Sequence, residues 1–188
     1  QLGSLRIIIT GFILFIAGFN SLKNLSKNTI KWIALSGFLG TFFPAFLFAY
    51  AETEIDSAIA SILNSIVPIN TILFGFLAFN IISTKRQIIG VLIGFTGAIL
   101  LISNGAAINP NQNYWYAFLV IIATVMYAFN INIIKRHLQN IPPLSIAVGN
   151  FIVIIVPAFL VLIYSGFFTQ QVLQGPNFSI SIFYVFLF

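Results

Sequence analysis

The sequence contains no cysteine. That excludes disulfides and thiolate metal sites, and it leaves the redox compartment undefined. Charge is nearly as scarce. Only 6% of the 188 residues are Asp, Glu, Lys or Arg, where an ordinary soluble domain carries about 25%. With 60% of its residues hydrophobic, the chain has too few polar side chains to cover a water-soluble fold. Lipid must solvate most of its surface. Acids are the scarcest class: Glu52, Glu54 and Asp56 are the only three, and His137 is the only histidine. The net charge of +5 does not point to nucleic acid. The basic residues are few and sit in short loops between apolar runs, where membrane orientation accounts for them.

What is present is a series of long apolar runs. They fall at Leu5–Asn20, Trp32–Tyr50, Ser57–Phe79, Gln87–Ser103, Tyr114–Ile134 and Leu144–Phe168, and a seventh begins near Phe178. A helix crosses the hydrocarbon with about 20 residues, so these lengths predict spanning helices. The runs are too long for strands and lack the apolar–polar alternation of barrel strands. Leu5–Phe19 lacks the basic n-region and the small-residue cleavage site of a signal peptide. It reads as a span. The chain starts at Gln1 and ends inside the apolar run Ile180–Phe188, so both ends are expected to be cut.

The charges sort by loop. Lys23, Lys27 and Lys31 follow the first run, Lys85 and Arg86 the third, Lys135, Arg136 and His137 the fifth. All basic residues except Arg6 therefore lie in alternate loops. The three acids share one intervening loop, and Asn104–Asn113 and Thr169–Asn177 carry no charge. Basic loops are held on the cytoplasmic side, so the first span runs from outside to inside. Tyr114, Trp115 and Tyr116 at the outer boundary and Trp32 at the inner one fit the interfacial anchoring of aromatic rings. Arg6 lies near the outer end of span one, where its side chain can snorkel to water. The acids and the histidine fall on opposite sides of the membrane, so no metal site is expected. No charged residue lies mid-span, which removes the buried carboxylate of a proton relay and the acid–base constellation of an intramembrane enzyme. No cofactor is implied.

Span three carries a patterned face. Ser57, Ser61, Asn64, Pro68, Thr71 and Gly75 recur at steps of three and four, the spacing of one helical face. Lipid disfavours such a face, so it looks into the protein, either as ordinary small-residue packing or as the wall of a watery cavity. Pro68 removes a backbone hydrogen bond and frees the carbonyl of Asn64. Span two repeats the theme with Gly37, Gly40, Thr41 and Pro44. Span five carries Thr124, Tyr127, Asn130 and Asn132, and span six has Asn150 and then Pro157, an expected kink. Gly90-x-x-x-Gly94 with Gly97 in span four reads as close helix packing.

Leu5-Arg6 and the apolar run after it align with Gly149-Asn150 and the run Phe151–Leu162. The charge map sends the two segments through the membrane in opposite directions, as in an inverted repeat. Trp32-Ile-Ala-Leu-Ser-Gly-Phe-Leu-Gly40, Phe48-Ala-Tyr50-Ala51, Ser57-Ala-Ile-Ala60, Val67-Pro68-Ile69, Lys85-Arg86-Gln87-Ile88-Ile89-Gly90 and Gly94-x-x-Gly97 carry a further likeness. With Leu5-Arg6 they resemble the EamA family of the drug/metabolite transporter superfamily, most clearly over residues 30–103. The resemblance implies an all-α polytopic transmembrane bundle with inverted repeats, corresponding to helices two to eight of a ten-helix transporter. It implies most of a first EamA-like repeat at 1–103, without its first helix, and the beginning of a second at 104–188. Many members have a glutamate near the position of Asn80, and no role of that acid carries over.

The function implied is movement of small metabolites, such as amino acids, nucleobases or amphiphilic compounds, across the inner membrane by alternating access. Enzymatic chemistry is not implied. The substrate cavity is expected on spans two, three and five, at Asn64, Pro68 and Thr71 first, then Thr41, Tyr127 and Asn130. The partners expected are a small-molecule substrate and the lipid bilayer, with no nucleic acid and with homodimer formation left open. The competing reading is a membrane-embedded assembly or signalling protein with a packed, dry interior. The charge map makes a direct prediction. Because the chain has no cysteine, single cysteines at Asn28, Thr84 and Asn140 should be shielded from an impermeant thiol reagent in intact cells. Cysteines at Thr53, Asn109 and Gln171 should react, and the reverse pattern would invert the orientation.

Overall fold

The computed structural model describes residues 1–23, 25–108 and 113–168. Every regular element among them is helical. The helices are α1 (Leu2–Gly18), α2 (Lys27–Gly37), α3 (Phe43–Ala51), α4 (Ser57–Asn64), α5 (Val67–Phe79), α6 (Lys85–Ile108), α7 (Ala117–Ile133) and α8 (Pro143–Tyr164). Short 3₁₀ turns extend α1 through Leu22 and precede α7, and π-helical turns occupy Phe38–Phe42 and Ile134–Leu138. Among the described residues five stretches are long and apolar enough to cross a membrane: Gly3–Leu22, Lys27–Ala51, Ser57–Phe79, Ala117–Leu138 and Pro143–Tyr164. The fourth apolar run forms α6, 24 residues in length, or about 36 Å at 1.5 Å per residue. α6 continues past Ser103, through residues expected to form a loop, because nothing there stops a helix before Pro110. The run beginning near Phe178 lies outside the described residues.

Large apolar side chains stand exposed along these helices, Ile16, Ile93 and Leu77 each by more than 60%. In water such exposure would drive aggregation, and in lipid it is the expected outer surface.

The helices form two compact units, one made of Gln1–Phe38 with Asn140–Phe188 and the other of Leu39–Gln139. In the first, α8 packs along α1 and α2. α1 and α8 are the two segments that align as an inverted repeat. Their ends are tied by Gln1 Nε2 donating to the Ser165 carbonyl at 2.9 Å and by Ser145 Oγ donating to the Ser21 carbonyl at 2.8 Å. α2 begins at Ser26, whose Oγ accepts from the Thr29 N–H at 3.1 Å, one of the four orphan donors of a helix start. Small residues bring the backbones together. A Cβ at Gly37 would lie 3.0 Å from the Asn150 carbonyl oxygen and 3.1 Å from its Cα, and one at Gly149 would lie 2.6 Å from a methyl of Ile33. Pro157 is inside α8, which runs through it to Tyr164.

In the second unit α7 is the central helix, with α3, α4 and α5 packed on it and α6 against α4 and α5. Its apolar core gathers Ala51, Ile55, Ile59, Ala60, Leu63 and Val120 near the acidic-loop end. α6 starts with a reciprocal cap. The Thr84 N–H donates to Gln87 Oε1 at 2.9 Å and the Gln87 N–H donates to Thr84 Oγ1 at 3.3 Å, which satisfies two donors of the first turn.

The glycine contacts separate packed from open positions. Gly37→Ala should destabilise the detergent-solubilised protein by about 1–3 kcal/mol, because the added methyl meets backbone that cannot rotate away. Gly97→Ala, where nothing lies within 4 Å of an added Cβ, should leave thermal stability unchanged or slightly raised. Equal melting shifts for the two would contradict this packing.

Candidate functional site

Span three is not one helix. α4 ends at Asn64 and α5 begins at Val67, with Pro68 in its first turn, where a missing N–H costs nothing. The two residues between them make tight bonds, Ser65 N–H to Ile62 O at 3.0 Å and Ile66 N–H to Leu63 O at 3.1 Å. Such three-residue closures wind the chain faster than an α-helix. The regular face read from the sequence therefore loses its phase at Ser65–Ile66. Asn64 is exposed on α4, whereas Pro68, Thr71 and Gly75 face a common cleft on α5.

The cleft has a volume of about 530 Å³ and is walled by α5, α6 and the end of α7. That is within the range of about 300–1,000 Å³ for small-molecule sites. Val67, Ile69, Ile72, Val91 and Ile131 give it an apolar lining. Ser65, Thr71 and Asn132 add hydroxyl and amide groups, and Ser83, Gln87 and Lys135 stand at the basic-loop end. Gly90 and Gly94 of α6 also line it, and a Cβ at Gly90, Gly94 or Gly97 would meet nothing within 4 Å. The close helix packing expected of the span-four glycines is thus not seen among the described residues.

Amides hold the wall in place. Asn132 is buried on α7, and its Nδ2 donates to the Thr71 carbonyl at 2.9 Å and to the Ala128 carbonyl at 2.9 Å. A Cβ at Gly75 would lie 2.8 Å from Asn132 Oδ1, so α5 needs a glycine opposite this amide. Asn70 Nδ2 donates to Thr124 Oγ1 at 2.9 Å, and the Thr71 hydroxyl folds back to the Val67 carbonyl at 2.8 Å.

The sequence-derived candidates divide into three places. Pro68 and Thr71 line the cleft. Thr41, Tyr127 and Asn130 lie where span two meets α7. Thr41 belongs to the π-helical turn Phe38–Phe42, the Asn130 amide sits directly on the bare Cα of Gly40, and the Tyr127 ring is 6.2 Å from that of Phe48. Asn64 belongs to neither group. Asn70, Asn132 and Lys135 were not among the candidates. Asn132 follows Asn130 by two residues, which turns it about 200° around the helix, away from α3 and toward α5. The pairing of an amide with a glycine across α7 and α5 is the signal that points to it. Asn80 ends α5 in the left-handed conformation at φ 54°, which asparagine adopts more readily than most side chains.

Residues 1–103 match the model of the EamA-like transporter family. The uncharacterized inner membrane transporter YedA of Escherichia coli K12 is 36% identical over 76 residues, covering 40% of this chain and 24% of YedA. YedA of the O6:H1 and O157:H7 strains matches to the same extent. The aligned part thus spans about a quarter of the length of these relatives. No solved structure matches the chain.

The amide–glycine pair is testable by a double-mutant cycle. Gly75→Ala should cost about 1–3 kcal/mol through the clash, and Asn132→Ala about 0.6 kcal/mol, the average for an interhelical bond in a membrane. The double variant should be more stable than Gly75→Ala alone, since removal of the amide relieves the clash. Strict additivity of the melting shifts would remove the contact from the account.

Proposed function

Because the chain belongs to the EamA-like transporter family, we propose that it moves small metabolites by alternating access, with the α5–α6–α7 cleft as part of the substrate path. The chain is a multi-pass protein of the inner membrane. Amino acids, nucleobases and amphiphilic compounds are the solute classes in view, and the two inverted repeats at 1–103 and 104–188 belong to the same proposal. The observation that carries it is the open cleft beside the break at Pro68. Gly90 and Gly94 face the cleft without a side chain to fill it, and the helix opposite them is interrupted mid-span. In hydrocarbon, such a break persists where polar groups or water meet the freed backbone.

The charge map supplies the direction. Ser83, Gln87 and Lys135 lie at the end that bears the basic loops, so the cleft opens to the cytoplasm. Its described lining carries hydroxyls, amides and one ammonium, without a carboxylate or imidazole. Those groups would bind and orient a solute. Pro68 and Thr71 would shape the wall, with Asn132 fixing the carbonyl of Thr71.

Two substitutions on α6 test the path. Gly90→Leu places a branched side chain in the cleft, whereas Gly97→Leu adds the same bulk outside its lining. In proteoliposomes containing the full-length protein, flux per folded molecule should fall at least about tenfold for Gly90→Leu, because the leucine displaces solute from a site of limited volume. Gly97→Leu should transport as the parent does. Undiminished flux in Gly90→Leu would remove the cleft from the path.

A further inference from the structure

The cleft holds charge of one sign. Among the described residues Lys135 is the only charged one in its lining, and Lys85, Arg86 and Arg136 belong to the same end of the spans. None of the acidic residues of this sequence belongs to that end. The chain's only acids are Glu52, Glu54 and Asp56, in the loop at the other end. Ile55, between Glu54 and Asp56, packs in the same apolar cluster as Tyr116. From Tyr116 to Lys135 the chain is helical and about 28 Å long, well beyond ion-pair reach and several screening lengths in physiological salt.

Behind Lys135 the surface is apolar. Val67, Ile72, Val91 and Ile131 form the walls, and the bare backbone at Gly90 and Gly94 offers a flat floor. Gln87 Oε1 is occupied by the Thr84 N–H, which leaves its amide N–H₂ to donate. A neutral acceptor would gain less from the ammonium than an anion does, and a cation would be repelled by it. Resting on the transport reading above, we propose that the cleft selects small amphiphilic anions, with the anionic head at Lys135 and the apolar body between α5 and α6. Ser83 and Gln87 would donate to the same head. The anionic group can belong to a soluble carboxylate or to an anionic lipid of the inner leaflet, since both present an acidic head on an apolar body.

The test uses three probes with one body: phenylbutyrate, phenylbutyramide and phenylbutylamine, as anion, neutral and cation. Binding to the full-length protein in neutral detergent is measured by calorimetry. Phenylbutyrate should bind at least about tenfold more tightly than phenylbutylamine, the factor expected for one charge-assisted hydrogen bond. Lys135→Gln should remove that preference while leaving phenylbutyramide affinity unchanged, and Lys135→Arg should keep it. Phosphatidylglycerol that displaces phenylbutyrate where phosphatidylcholine does not would place the head on a lipid. Failure of both lipids to displace it would place the head on a soluble solute, and equal displacement by both would overturn selection by charge. Tighter binding of the amine, no binding of any probe, or an unchanged preference in Lys135→Gln would also overturn it. Gly90→Leu separates the two levels. If it abolishes phenylbutyrate binding while Lys135→Gln changes nothing, the path stands and only the anion preference falls. If it leaves binding intact, the cleft is not the site and both readings fall.

Discussion

Hydrocarbon offers no hydrogen-bond partner, so every backbone group within it must be paired by the protein itself. The helical content of the chain follows from that constraint, and so does the placement of its few polar side chains. Where the chain departs from a regular helix, an amide, a hydroxyl or a cap is close by. Pro68 has no N–H to offer the Asn64 carbonyl, and the next two turns are held by Thr71 to Val67 O and Asn132 to Thr71 O. The end of α5 uses Asn80 in a left-handed conformation, and the start of α6 uses the Thr84–Gln87 reciprocal cap. The π-helical turn in span two presents Gly40 to the amide of Asn130. Asparagine is the recurring solution because its amide both donates and accepts without bringing a charge into lipid.

The same constraint explains which features could be read from the sequence. The positions of the five stretches found long and apolar enough to cross a membrane follow from composition and length, which lipid imposes directly. The likeness of the first 103 residues to the EamA family was visible in Trp32–Gly40, Val67-Pro68-Ile69 and Lys85–Gly90. The cleft was visible only in part. Pro68 and Thr71 could be placed by a helical period, but that period assumes an unbroken helix. Two tight turns at Ser65 and Ile66 were enough to put Asn64 elsewhere. Gly90, Gly94 and Gly97 show a different ambiguity. Small residues on a membrane helix make close contact possible without requiring it, so the pattern is the same whether a helix or open space lies opposite. Lys135 was absorbed by the orientation rule, which explains why a lysine stands at that end but is silent on what it faces.

That last point joins orientation to selectivity. A charge placed mid-span is costly, so a path through this chain must be lined there by neutral groups, as Thr71 and Asn132 line it. Discrimination by charge is then confined to the mouth, where side chains reach water. The mouth that opens among basic loops inherits their sign, and the loop carrying Glu52, Glu54 and Asp56 carries the opposite one. A solute that reaches the cleft from the basic end therefore meets a positive field before it meets any specific contact, and the field falls off within about 8 Å in physiological salt. Beyond that distance only shape and the amide and hydroxyl groups of α5 and α7 remain to tell one solute from another. An apolar body with a single polar end satisfies both zones at once, because its head can stay at the ammonium while its body fills the neutral part of the cleft. A solute with charge at both ends would have to bring one of them into the apolar zone, unpaired.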